Sequence, residues 1–104
     1  MDFNDLYIIE VVDSSKSIRE VLEEHEKGLS TAIVEKICYA VENDISKIRI
    51  AEIKTNGSVI SLHSSYHNFI DTLESNIQNL IKYEEYELCA LAKKCIDKIK
   101  EKKY

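Results

Sequence analysis

Apolar residues recur at helical spacing along most of the chain, and two stretches have the composition of strands. Residues Leu6–Val12 form a short β-branched run that predicts an N-terminal strand, with an N-terminal helix as the alternative. Residues 17–20 have capping-box spacing and begin a predicted first helix that ends at Gly28. A second predicted helix follows, with Ser30 or Thr31 as its cap.

A β-hairpin is predicted in the middle of the chain. Its turn is Asn56-Gly57, the pair preferred in two-residue type I′ turns. Pairing across this turn places four apolar residues on one face, which should pack on the core. These residues are Ala51, Ile53, Ile60 and Leu62. Ile48 and Ile50 have the opposite parity, so either a β-bulge lies near Ala51 or this end of the hairpin is covered on both sides.

From Ser64 to about Glu101 the pattern is helical but changes phase once. Two apolar stripes are separated by a break between Lys82 and Glu85. The first contains Tyr66, Phe69, Ile70, Leu73, Ile77 and Leu80, and the second contains Leu88, Ala92, Cys95, Ile96 and Ile99. An antiparallel helical hairpin explains both stripes better than one continuous helix, which is the alternative.

Together these elements predict an α+β fold in the order β-α-α-β-β-α-α. A small antiparallel sheet, made of the hairpin and the N-terminal strand, is expected to pack against the helices. No repeat, low-complexity tract or linker is present, so we expect a single domain over residues 1–104. Within it, residues 1–63 form the β-α-α-β-β part and residues 64–104 form the helical hairpin.

The composition is typical of a globular chain with short connections. The 104 residues have a mass of 12.0 kDa, and 44% are hydrophobic and 32% charged. Proline is absent and glycine occurs twice. This scarcity excludes the Gly-rich phosphate loops of Rossmann and Walker type.

Charge is distributed unevenly along the chain. Residues 1–92 contain eight basic and 17 acidic residues, a net charge of −9, whereas residues 93–104 contain six basic and two acidic residues, a net charge of +4. The acidic body repels phosphates, so direct nucleic-acid binding is not expected, and the tail lysines fit the C-terminal end of a helix. No apolar run could span a bilayer, and the N-terminus is acidic rather than basic. We therefore expect a cytoplasmic protein without membrane contact.

The cysteines and histidines form no complete reactive set. Cys38, Cys89 and Cys95 lie in apolar helical stretches, which indicates reduced, buried thiols. His63 and His67 have the i, i+4 spacing of two metal ligands on one helix, but no nearby residue completes a tetrahedral site. Catalytic residues and cofactors are therefore not expected, and His63 and His67 are the candidates if a metal is bound.

Residues 83–90 read Tyr-Glu-Glu-Tyr-Glu-Leu-Cys-Ala and resemble the UVR motif of the excision-repair proteins UvrB and UvrC. Tyr86-Glu87 matches the aromatic-Glu pair of the motif and Cys89-Ala90 its two small residues, while Lys93-Lys94 stands where the family has Arg-Asp. The resemblance is confined to the C-terminal third of the chain. It implies a helical hairpin that pairs with another hairpin or docks on a partner protein, as in repair complexes and Clp-associated adaptors, and it implies no catalysis.

Surplus apolar helix surface and the absence of a catalytic set favour a function in protein binding. We expect a non-enzymatic intracellular adaptor or regulatory protein that acts as a homodimer. Its predicted partner-binding residues are Tyr83, Glu84, Glu85, Tyr86, Glu87, Lys93 and Lys94.

Two other classes compete with the adaptor. The first is a small acidic phage or mobile-element inhibitor, of anti-CRISPR or anti-restriction type, that blocks a nucleic-acid enzyme. It requires one continuous acidic surface. The residues that would supply it are Glu20, Glu23, Glu24, Glu26, Glu42 and Asp44. The second is a metal-dependent enzyme centred on His63 and His67.

Overall fold

Among the residues that the structure describes, three strands and four helices follow the predicted order, and the α+β fold class is confirmed. The structure is a computed structural model that describes residues 6–11 and 17–102. Its elements are β1 (Tyr7–Glu10), α1 (Ile18–Glu24), α2 (Glu26–Glu42), β2 (Lys47–Lys54), β3 (Val59–Ser65), α3 (Phe69–Lys82) and α4 (Tyr86–Lys102). A short 3-10 turn over Tyr66–Asn68 leads from β3 into α3.

The sheet is mixed, so the expectation of a purely antiparallel sheet is wrong for its first strand. Its order is β1-β2-β3, with β2 antiparallel to β3 but parallel to β1. The reason lies in the connection between β1 and β2. A parallel pair needs a long crossover, and α1 and α2 supply it by returning the chain to the end of the sheet where β1 began.

The predicted register of the β2–β3 hairpin is confirmed. Ile53 pairs with Ile60 and Ala51 pairs with Leu62. The expectation that all four residues pack on the core is wrong for Ile60, which lies on the edge strand β3 and is 38% exposed. Of the two alternatives for the opposite end, the structure has the bulge, because the register shifts between Arg49 and Ala51. The inserted residue changes the parity of β2, so that isoleucines before and after the bulge are buried on the core.

The turn of this hairpin lies at the predicted position but is not of type I′. That type needs positive φ at both central residues, and Asn56 does not have it; only Gly57 does, with a φ of 150°. The Thr55 N–H donates to the Ser58 carbonyl at 2.9 Å, and the Gly57 N–H donates to the Thr55 carbonyl at 2.7 Å.

The boundary between the first two helices differs from the prediction. The Ser17 cap is confirmed, since its Oγ accepts from the Glu20 N–H at 3.2 Å. However, α1 ends at Glu24, and α2 begins at Glu26 rather than after a cap at Ser30 or Thr31. Gly28 therefore lies inside a helix instead of ending one.

A close approach of β1 explains the glycine at position 28. The Tyr7 hydroxyl lies 2.9 Å from Nδ1 of His25, the residue between the two helices. This contact brings the tyrosine ring over the first turn of α2. A Cβ added at Gly28 would overlap the Tyr7 hydroxyl and lie 2.9 Å from its Cζ. The glycine makes room for the strand and does not terminate the helix.

The helical hairpin is confirmed, and its break falls where the two stripes change phase. Glu84 has a φ of 59° between α3 and α4. Both stripes are buried together with α2 and β2 in the main core cluster. A smaller cluster of Ile9, Val21 and Ile53 lies under α1. The apolar surface of the hairpin is thus used mainly to complete the core of the chain itself.

We predict that Gly28→Ala destabilises the protein by about 1–2 kcal/mol, because the new methyl group displaces the Tyr7 ring and breaks its contact with His25. In a Tyr7→Leu background the clash is absent, and the same substitution should stabilise by roughly 0.5–1 kcal/mol through higher helix propensity. Urea unfolding of the four proteins measures both effects. A stabilising Gly28→Ala in the wild-type background would contradict the close approach.

Candidate functional site

The predicted partner-binding segment lies at the corner where α3 turns into α4. Tyr83 is 39% exposed and Tyr86 is 61% exposed. Glu84 and Glu87 are also exposed, and Glu85 is half-buried. We call this region, with Ile81 at the end of α3, the α3–α4 corner. Five of the seven predicted residues are therefore neighbours on one surface.

Three polar contacts fix the α3–α4 corner to the first turn of α2. Glu26 accepts from Lys82 Nζ at 2.6 Å and from the Tyr83 hydroxyl at 3.1 Å. Lys27 forms an ion pair with Glu85 at 3.2 Å. Because α2 is itself anchored in the core, these contacts hold the corner in one arrangement.

The charges at the corner stabilise one another. Hydrogen bonds from Lys82 and then from Tyr83 hold the pKa of Glu26 below its usual range. The Glu26 carboxylate in turn raises the pKa of Lys82 and of Tyr83, in each case mainly through the hydrogen bond. Tyr83 therefore serves as an anchor to α2, whereas Tyr86 projects from the start of α4.

Lys93 and Lys94 do not join the corner. Lys93 lines an open groove of about 380 Å³ between α3 and α4, beside Glu74 and Asp97. Lys94 lines a different groove, of about 210 Å³, between α2 and α4. The seven predicted residues thus occupy one corner and two separate grooves.

The α2–α4 groove contains a pair of thiols that the sequence did not predict. Cys38 of α2 and Cys95 of α4 both line the groove, and each thiol is the largest single influence on the pKa of the other. The Cys38 Sγ also lies 4.0 Å from the Leu91 carbonyl oxygen. Within α4, Cys89 and Cys95 lie on different faces and so do not form a pair. The partner of Cys95 is Cys38, which comes from α2. The only signal in the sequence was that Cys38 and Cys95 both lie on apolar stripes.

The two thiols have opposite electrostatic environments. Interaction with the Cys38 thiol lowers the pKa of Cys95, and Lys98 adds to this effect, while burial and Glu42 oppose it. The pKa of Cys38 is raised by the same interaction, by burial, and by the negative charges of Cys95, Glu42 and Glu35. Of the two thiols, Cys95 is therefore the one that ionises more easily.

The third thiol has a different environment. Cys89 is buried, and its Sγ donates to the Ile77 carbonyl at 3.8 Å. It does not line the α2–α4 groove. The sequence predicts a small core residue at each of the three cysteine positions, and Cys89 is such a residue.

The two histidines do not share a helix face. His63 lies in β3, where it pairs with Arg49, and His67 lies in the 3-10 turn. The i, i+4 argument required both residues in one helix, so that geometry is not present. Across residues 6–11 and 17–102, no cluster of three or more His, Cys, Asp or Glu side chains is arranged to hold a metal.

The six carboxylates of the proposed acidic surface are divided between the two ends of α2. Four lie on α1 and the first turn of α2, whereas Glu42 is the last residue of α2 and Asp44 lies two residues further on. Sixteen residues of helix correspond to about 24 Å between Glu26 and Glu42. Asp44 is also paired with Lys102 at 2.7 Å, and Lys102 Nζ donates to the Val41 carbonyl at 3.3 Å. Lys102, in the basic tail, thus binds the C-terminal end of α2.

No protein-family model, curated protein or solved structure matches the chain. The likeness to the UVR motif remains a prediction. In the part of the chain that the structure describes, no helix has the length and apolarity needed to cross a membrane.

We predict that Glu26→Gln lowers the pKa of Tyr83 toward its ordinary value, because the carboxylate that retains the phenol proton is removed. Ultraviolet titration of the tyrosines measures this change. A carboxyl group with a lowered folded pKa stabilises above its unfolded pKa, and this stabilisation is lost as pH falls through the folded pKa. Glu26→Gln should therefore lose less of its free energy of unfolding on acidification than the wild type. Glu87→Gln is the matched control and should change neither quantity.

We also predict that iodoacetamide labels Cys95 at least about tenfold faster than Cys89 in the folded protein, because Cys95 lines the α2–α4 groove and has a lowered pKa, whereas Cys89 does not line it. Peptide mass spectrometry over a time course measures both rates. In denaturant the two rates should converge. Faster labelling of Cys89 in the folded protein would contradict the assignment.

Proposed function

We propose that the protein is a non-enzymatic adaptor or regulatory protein that acts by protein–protein contact and self-associates through the α3–α4 corner. The observation that carries this proposal is the exposure of three large side chains within six residues. Ile81 is 43% exposed, Tyr83 39% and Tyr86 61%. Tyrosine is enriched among the residues that dominate binding energy at protein interfaces.

The contacts beneath the corner support a binding role. Glu26 and Lys27 of α2 hold Lys82, Tyr83 and Glu85 in place. A surface that is already ordered loses little conformational entropy on binding, which favours affinity. Tyr86 adds exposed apolar area to this ordered base.

The charges around the corner favour a second copy of the chain as the partner. Exposed Glu84 and Glu87 lie two and five residues after exposed Lys82 in the sequence. In a two-fold interface each subunit presents the same patch, so a patch with both signs can pair acid with base across the axis. A purely acidic patch would repel its copy.

A reducing, cytoplasmic location belongs to the same proposal. Cys38, Cys89 and Cys95 are all free thiols in the structure. Secreted domains of this size commonly use cysteines in disulfides, whereas cytosolic proteins keep them reduced.

We predict that Tyr86→Ala raises the dimer dissociation constant at least about tenfold, because it removes the most exposed aromatic side chain of the interface. Sedimentation equilibrium over a range of protein concentrations measures the constant. Val59→Ala is the control, since Val59 is 60% exposed but lies on the β2–β3 hairpin. Equal constants for the two variants, or a monomer at every concentration, would contradict self-association through the corner.

A further inference from the structure

The thiol pair of the α2–α4 groove is placed for chemistry that neither helix has alone. Cys38 and Cys95 lie 57 residues apart in the sequence and on different helices, yet both line the same groove, and each is the largest single influence on the pKa of the other. Each residue is only 6–7% exposed, but both form part of the wall of an open groove. A small molecule can therefore reach sulfur atoms that a large one cannot.

We propose that Cys38 and Cys95 form a modification site for hydroperoxides, which oxidise the pair to an intramolecular disulfide. The site does not depend on the proposed function. Cys95 lies nine residues along α4 from Tyr86, a distance of about 13 Å along the helix.

The surroundings assign a different role to each sulfur. Cys95 is the attacking group, because interaction with Cys38 and the charge of Lys98, which lines the groove with it, both lower its pKa. Cys38 is the resolving group, since its pKa is raised and it ionises less easily than Cys95. Lys94 and Glu42 also line the groove, and the negative charge of Glu42 opposes ionisation of Cys95.

The size of the groove selects the class of oxidant. A volume of about 210 Å³ admits hydrogen peroxide or a small organic hydroperoxide. Glutathione disulfide is a much larger molecule and would have to reach thiols that are almost fully buried. Peroxide is therefore the oxidant that fits the entrance.

The reaction balances in two steps. The Cys95 thiolate attacks one peroxide oxygen, the O–O bond breaks and an S–O bond forms, which gives a sulfenic acid; the leaving hydroxide takes up a proton and becomes water. The Cys38 sulfur then attacks the Cys95 sulfur, the S–O bond breaks and the S–S bond forms. The departing hydroxide combines with the Cys38 proton as a second water. The two thiols lose two electrons, and one peroxide is reduced to two waters.

The test treats the reduced protein (residues 1–104) with hydrogen peroxide, alkylates the remaining thiols with N-ethylmaleimide in denaturant and maps the peptides by mass spectrometry. We expect a monomeric product with a Cys38–Cys95 cross-link and one alkylated residue, Cys89. Dithiothreitol should restore three alkylated thiols. The cross-linked protein should also have a higher Tm, because the bond closes a long loop of the unfolded chain.

Variants separate the two roles and provide a control. Cys89→Ser should form the same cross-link at the wild-type rate. Cys38→Ser should stop at the Cys95 sulfenic acid, which dimedone traps, whereas Cys95→Ser should give neither product.

The wild-type result decides the proposal even if a variant fails to fold. Three alkylated thiols after peroxide treatment, a cross-link through Cys89, or only intermolecular disulfides would overturn it.

Discussion

The fold depends on the burial of α2 between two layers. α2 contacts β1 and β2 of the sheet and also both helices of the C-terminal hairpin. Val34, Ile37 and Ala40 are completely buried along it. Each layer is amphipathic and needs an apolar partner, and α2 provides the same partner for both. If α2 were lost, the core face of the sheet and both stripes of the hairpin would become exposed together.

Local pattern predicts the elements of this fold well where the relevant contacts are close in the sequence. The β2–β3 register follows from one turn and from alternation, and the α3–α4 break follows from a phase change, because both signals lie within a few residues. The prediction of the α1–α2 boundary failed because the contact that decides it is distant in the sequence. A glycine after a predicted helix is typical of a helix end, but the role of Gly28 is set by Tyr7. Tyr7 lies 21 residues earlier and reaches Gly28 only in the folded chain. The parallel pairing of β1 likewise depends on the crossover.

The candidate sites likewise combine features that the local sequence predicts with features that depend on distant contacts. Tyr83 and Tyr86 could be selected from the sequence because they flank a predicted turn. That Tyr83 is bound to Glu26 while Tyr86 is exposed depends on where α2 begins. The thiol pair was not predictable, since a helical stripe shows that Cys38 and Cys95 are buried but not which residue of another helix each one meets. Lys93 and Lys94 are an example of the opposite kind, since they are adjacent in the sequence but line different grooves.

The corner and the thiol pair share α2 as their base, which raises the question of whether oxidation at one site alters binding at the other. Energetic coupling requires an element with two arrangements that both sites bias. α2 has buried side chains against the sheet and against the hairpin, so a shift of its axis would disrupt both layers at once. A bond between Cys38 and Cys95 joins side chains that line the same groove, so we expect it to need little movement of α2. We therefore expect Glu26 and Lys27 to stay in place and the corner to keep its geometry in either redox state.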